Sequence, residues 1–232
     1  MLNMVILDFW WQLLLGALIV YFVCNTNFAI IISKGIKHKD IRTVGSGNPG
    51  TTNMIRAFGF KWGACTFVLD ATKGALSVAA GLIIFNAIGG ETYVLTRFAG
   101  YFYAMCAILG HVFPACLKFK GGKGFATTIG AFMVLDPLWT GIFLATGVIL
   151  LVIWDYMSVF ALFFATSLLV KNIIGFVNDV AIASSGVLFA FIVAVAVVWT
   201  VVIVAHRSNI KRLFSACENK TGIHKLFKKK QG

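Results

Sequence analysis

Read for hydropathy alone, the chain is a series of long apolar runs separated by short polar blocks. Apolar residues fill positions 9–32, 62–88, 93–109, 138–154, 157–170 and 187–205, and a shorter apolar stretch ends near residue 135. Runs of this length match membrane-crossing helices and lack the two-residue alternation of barrel strands. The pattern predicts an all-α, polytopic membrane protein with seven transmembrane helices, folded as one integral membrane domain over residues 1–232. The fourth span is short because Asp136-Pro137 breaks it.

Polar residues interrupt the apolar runs at a few places. Asn25-Thr26-Asn27 divides the first run and is expected to face other helices. Asp70 and Lys73 lie three apart in the second run, on one helical face. Ionisable residues within a span pair with one another or line a polar cavity; a structural ion pair is the favoured reading over a direct catalytic role. Gly89-Gly90-Glu91 reads as a short turn, Asp155 as the end of the fifth span, and residues 171–185, with Asn172, Asn178 and Asp179, as a polar connection. No small-residue cleavage site follows the first run, which therefore reads as a retained helix.

Composition agrees with the pattern and adds orientation. Of 232 residues, 59% are hydrophobic and only 12% charged, and the mean hydropathy is +0.91. The net charge of +12 points, in so apolar a chain, to topology and anionic ligands rather than to nucleic acid. Seven spans bring residues 34–61, 118–123 and the tail from His206 to one face, which then holds seventeen of the twenty Lys and Arg residues. By the positive-inside rule that face is cytoplasmic, with the N-terminus outside and the C-terminus inside. The five Cys are scattered and form no CxxC, so membrane packing is their expected role.

All three basic blocks have phosphate-directed chemistry. In the first, residues 44–59, Gly45, Gly47 and Gly50 let backbone N–H groups converge on an anion. Ser46, Asn48, Thr51, Thr52 and Asn53 add neutral donors, and Arg56 supplies a planar fork suited to phosphate. In the second, residues 111–128, Lys120-Gly121-Gly122-Lys123-Gly124 pairs two ammonium groups with a turn that opens a helix at Phe125. In the third, His206 and Asn209 are three apart and share one side of a helical extension. His111 reads either as a helix cap or as a pocket wall, and His38 and His224 as solvated loop residues. The P-loop pattern GxxxxGK[ST] is absent, and no block carries an acidic cluster for Mg²⁺. The expected ligand is phosphate held by protein cations, with no nucleotide, metal or other cofactor. Taken singly, each block is also what an ordinary turn or topology signal looks like; their convergence on one face favours a site.

Three stretches carry a family resemblance. They are Ser46-Gly47-Asn48-Pro49-Gly50-Thr51-Thr52-Asn53 with Arg56; His111-Val112-Phe113-Pro114 with Phe119-Lys120-Gly121-Gly122-Lys123-Gly124; and His206-Arg207, Asn209-Ile210, Arg212-Leu213 and Glu218. In order, they resemble the motifs of the bacterial acyl-phosphate:glycerol-3-phosphate acyltransferases, and the likeness covers nearly the whole chain. The third motif departs from the family's Arg-His-Arg-Glu-Asn, reading Ala205-His206-Arg207-Ser208-Asn209, and Ala216 stands where a glycine is usual.

The resemblance implies a seven-span enzyme of the bacterial inner (plasma) membrane with its active site facing the cytoplasm. Its reaction would be the first acylation of phospholipid synthesis. An acyl group passes from acyl phosphate to the 1-hydroxyl of glycerol 3-phosphate, giving lysophosphatidic acid and phosphate. An upstream enzyme would form the acyl phosphate. It also implies that Ser46, Arg56 and Lys123 contact phosphate or the reacting centre, and that His206 and Asn209 bind or orient the hydroxyl substrate. Gly45, Gly47, Asn48, Gly50, Thr52, Asn53, His111, Lys120, Gly121, Gly122 and Gly124 would wall the substrate and phosphate pocket. The base is left open between His206, the acyl phosphate's own oxygen, and a covalent route through Ser46. The rival classes are a transporter of an anionic, phosphate-bearing metabolite and a lipid-binding scaffold without catalysis.

Overall fold

A computed structural model describes residues 8–89 and 92–221, so Glu91 of the expected turn, His224 and the terminal lysines lie outside the described residues. All regular structure within them is helical. The helices are α1 (Trp10–Cys24), α2 (Phe28–Gly35), α3 (Thr51–Phe58), α4 (Phe60–Ile88), α5 (Tyr93–Val112), α6 (Phe125–Leu135), α7 (Pro137–Trp154), α8 (Met157–Asn178), α9 (Val180–Ala183), α10 (Leu188–Ala205) and α11 (Arg207–Phe214).

Among the described residues, six segments are long and apolar enough to cross a membrane: Trp10–Gly35, Phe60–Ile88, Tyr93–Leu117, Pro137–Trp154, Met157–Asn178 and Leu188–Ala205. The expected fourth span does not reach that length. With 11 residues, α6 is only about 16 Å long, against a hydrocarbon core of about 30 Å. It begins beside Val112 and Ile108, near the end of α5. It finishes where Leu135 O accepts a hydrogen bond from Arg97, one turn from the start of α5.

Backbone contact holds α6 in place. A Cβ built on Gly130 would lie 1.8 Å from the Ala71 carbonyl oxygen, and one on Gly74 would lie 2.2 Å from that of Thr127. Only glycine lets α4 and α6 approach so closely, the small-residue logic of membrane helix pairs. Farther from the polar blocks, Tyr101 meets the rings of Phe132, Phe176 and Phe191 at 6.1, 4.9 and 5.7 Å.

Two boundaries differ from expectation because polar side chains find partners. The sixth run continues as α8 to Asn178, past the expected end near residue 170. Lys171 pairs with Asp136, and buried Asn172 accepts from the Tyr101 hydroxyl at 2.7 Å, so these residues are satisfied within a helix. The first run is two helices. Asn27 caps α2 by accepting from Ile30 N and donates to Pro49 O; Asn25 Oδ1 accepts from Cys116 N. The Asn-Thr-Asn break therefore ties the first polar block and the second to the same point.

Candidate active site

The three basic blocks lie at one end of the bundle, around a cavity of about 340 Å³. The uncapped N-termini of two helices converge on it. Neither Gly50 before α3 nor Gly124 before α6 offers a capping side chain, and Gly50, Thr51, Thr52, Gly124, Phe125 and Ala126 all line the cavity. Unpaired backbone N–H groups at a helix start favour an anion.

The cations stand beside these helix starts. Lys123 donates to Asn209 Oδ1. Arg56 donates to the carbonyls of Asn219 and Lys220, at 3.4 and 3.0 Å, and so holds the segment after α11 across the cavity. Burial pushes the Lys123 pKa down to about 8; Glu218 opposes the shift, and the Arg212 and Arg56 charges add to it.

His206 sits where α10 passes into α11, 4% exposed. Its Nδ1 is 2.8 Å from the Val202 carbonyl, which can only accept, so Nδ1 carries the proton and Nε2 keeps its lone pair. Burial and the Lys123 charge lower its pKa to about 4. His206 is thus a neutral imidazole at physiological pH.

Glu218 organises this wall. Its carboxylate accepts from Asn209 Nδ2 at 2.6 Å and Ser158 Oγ at 3.0 Å, and it pairs with Arg212 Nε at 2.8 Å. Asn209, gripped on one side by Glu218 and on the other by Lys123, has a fixed amide orientation. Arg212–Glu218 supplies the tail's ion pair despite Ser208 in the third motif.

Of the residues expected in the site, Ser46, Asn48, Gly50, Thr52, Asn53, Arg56, His111, Lys123, Gly124, His206 and Asn209 line the cavity together. Asn53 also ties its own loop, accepting from Ser46 N and donating to Ile41 O and Val44 O. Gly45, Gly47, Lys120, Gly121 and Gly122 are not among the lining residues. Lys120 is exposed. The N–H groups of Gly121 and Gly122 are spent on Val112 O and His111 O, and that of Gly47 on Val44 O. These glycines shape the loops rather than offering N–H groups to a ligand.

Sequence reasoning did not assign Ser158, Arg212 or Glu218 to the site. The available signal was that Glu218 is the sole carboxylate in the basic tail. Apolar helix faces are expected from the sequence to hold an acyl chain, but it names none of Phe67, Ile129, Leu144, Val148 and Phe160, which make the apolar wall. Val148 is 48% exposed, so this wall reaches the lipid-facing side of α7.

A family profile described as glycerol-3-phosphate acyltransferase matches residues 14–216 of this chain. The chain belongs to the glycerol-3-phosphate acyltransferase family. Among similar acyltransferases, that of Clostridioides difficile is 33% identical over 211 residues, covering 89% of this chain and 94% of the relative. That of Thermoanaerobacter sp. is 36% identical over 208 residues, covering 90% and 95%. The solved structure of PlsY (YgiH), an integral membrane glycerol 3-phosphate acyltransferase, in its glycerol 3-phosphate form superposes with a TM-score of 0.75 at 28% identity, over 93% of this chain and 98% of that one. Its lysophosphatidic acid form gives 0.71 at 27%, over 90% and 95%. An acyltransferase of this family needs a place for a phosphate ester beside a place for an acyl chain, and the cavity joins a cationic end to an apolar one.

Proposed function

We propose that the protein transfers an acyl group from acyl phosphate to the 1-hydroxyl of sn-glycerol 3-phosphate, releasing lysophosphatidic acid and inorganic phosphate. The observation that carries this reading is the composition of the cavity at the three basic blocks. Two uncapped helix starts, Lys123 and Arg56 lie at one end, and an apolar wall open toward lipid at Val148 lies at the other. Both substrates bear phosphate, which suits a site with two anion seats. The membrane-open wall suits an acyl chain delivered within the bilayer.

An acyl phosphate is already activated, so the protein's task is positioning and charge stabilisation. The glycerol hydroxyl attacks the carbonyl carbon, the C–O bond to phosphate breaks, and the electron pair leaves on inorganic phosphate. Lys123 and the α6 N-terminus stabilise that departing charge; Arg56 and the α3 N-terminus hold the second phosphate. The hydroxyl proton goes either to Nε2 of neutral His206, oriented by Val202, or to the oxygen of the leaving phosphate. Ser46 lacks the partner a nucleophile needs: its Oγ accepts from Asn48 N at 3.5 Å, and no imidazole or amine bonds it among the described residues.

The same reading takes α6 as a seventh, short crossing, which puts the N-terminus outside and the cavity on the cytoplasmic face of a bacterial inner membrane. The skewed distribution of Lys and Arg supports it. So does the course of α6 from the Val112 end of α5 to the Arg97 end.

The test compares donors. Purified protein is given glycerol 3-phosphate with acyl phosphate, acyl-CoA or acyl carrier protein in turn, and sealed proteoliposomes are assayed for flux of labelled glycerol 3-phosphate. Lysophosphatidic acid from acyl phosphate alone is the expected result. Product from a thioester donor only, or flux without product, overturns the proposal.

A further inference from the structure

Asp70, Lys73 and His111 form a buried charged group at the inner edge of the cavity, exposed by 1%, 7% and 5%. Asp70 and His111 line the cavity, and Lys73 lies behind them. Its ammonium pairs with Asp70 Oδ1 at 2.9 Å, donates to the Thr26 carbonyl at 2.6 Å, and meets His111 Nδ1 at 2.8 Å. A pair kept only to offset its own charges would not need the third and fourth members.

An ammonium has three donors and no acceptor. That of Lys73 donates one to the Thr26 carbonyl and, having no lone pair, can only donate to Nδ1 as well, so Nδ1, which also lies 3.6 Å from Asp70 Oδ1, is the bare nitrogen. His111 is therefore neutral, with its proton on Nε2. That nitrogen lies against Gly122, where an added Cβ would come within 2.2 Å of it, beside Lys123 in the chain. The Asn25–Asn27 break, which frees the Thr26 carbonyl for Lys73, is part of the same arrangement.

We propose that Asp70 and Lys73 are positioning residues that lock His111 as an Nε2–H donor aimed at the substrate phosphate held beside Lys123. Asp70 pairs with Lys73, Lys73 fixes the tautomer, and of the three His111 is the one that touches the ligand. The group adds a phosphate donor without adding a net charge, since Asp70 and Lys73 cancel. This rests on the phosphate-binding reading of the cavity given above.

The test reads the tautomer without turnover, so its failure is separable from failure of the acyl-phosphate proposal. The full chain is labelled with [15N]histidine, and His111 is identified by loss of its signal in His111→Gln. Long-range ¹⁵N–¹H correlations at neutral pH should give the Nε2–H tautomer, and glycerol 3-phosphate or inorganic phosphate should move the Nε2 proton. An Nδ1–H tautomer or an imidazolium overturns the proposal, as does an Nε2 signal indifferent to both phosphates at concentrations that saturate the site.

A double-mutant cycle supplies the functional arm. Lys73→Met should lower kcat/KM at least about tenfold in the wild-type background and change it less than about threefold in His111→Gln, whose amide donates whatever Lys73 does. Equal losses in both backgrounds would mean a purely structural pair and would overturn the proposal. If Lys73→Met does not fold, the tautomer of the wild-type protein still decides.

Discussion

Lys123 is held by Asn209 and shares the cavity with Arg56 and Arg212, an arrangement that suits a cation waiting for an anion. Lys123→Ala, Arg56→Ala and His206→Ala are each expected to lower turnover at least about tenfold, as lost charge-assisted contacts or acid–base help do. Near-normal rates in all three purified variants would remove the site assignment. The pH profile carries the sign of the Lys123 shift. With a free-enzyme pKa of about 8, the ammonium is lost as pH rises, so kcat/KM should fall above about pH 8. Bound phosphate favours the charged form, so kcat should hold to a higher pH. His206, with its pKa near 4, should add no acid limb above about pH 5. If His206→Gln keeps most activity while His206→Ala does not, the imidazole orients the substrate and the proton goes to the leaving phosphate.

Residue identity also explains one departure from the family pattern. After α11, Cys217 N bonds Arg212 O and Ala216 N bonds Leu213 O, a paired closure that needs a left-handed residue. Ala216 fills that place at φ 52. Ala216→Gly should relieve about 1 kcal/mol of backbone strain and raise the melting temperature in detergent by roughly 2–4 °C. An unchanged or lower melting temperature would contradict that account.

At the scale of elements, the helices were legible where apolar length alone decides, as in α4 and α10. They were misread where a polar side chain is buried with a partner. Lys171 and Asn172 read as a connection in one dimension, because Asp136 and Tyr101 reach them only in three. The short α6 is stable for a related reason, its contact with α4 through Gly74 and Gly130. Gly130→Val would drive a side chain into the Ala71 carbonyl, 1.8 Å from where its Cβ must lie. It should cost on the order of 1–3 kcal/mol or more and cut the yield of monodisperse protein. Gly141, with nothing within 4 Å of an added Cβ, is the control: Gly141→Ala should be neutral or mildly stabilising. Equal losses from both would contradict the close-approach argument.

The whole molecule gathers what the sequence scatters. The three polar blocks were recognisable from glycine, Lys, Arg and amide content, and Lys123, Asn209 and Arg56 do meet in one cavity. The glycines at 121 and 122 stand behind the lining residues with their N–H groups bonded to Val112 and His111, a detail sequence does not carry because it cannot tell a free N–H from one spent on a neighbouring carbonyl. Glu218 and Ser158 went unassigned because their partners lie 9 and 60 residues away along the chain.

The proposed orientation has native reporters, since Cys116 and Cys217 are free and exposed at the cavity end. A membrane-impermeant maleimide should label them in inverted vesicles and not in intact cells with the outer barrier removed. The reverse pattern would turn the protein over in the membrane.

The most direct measurement counts both products of one reaction. Purified protein, acyl phosphate and glycerol 3-phosphate should yield lysophosphatidic acid and inorganic phosphate in equal amounts, each dependent on both substrates and each lost in Lys123→Ala. Phosphate released without matching lysophosphatidic acid, or lysophosphatidic acid formed only from a thioester donor, would contradict acyl transfer from acyl phosphate in this cavity.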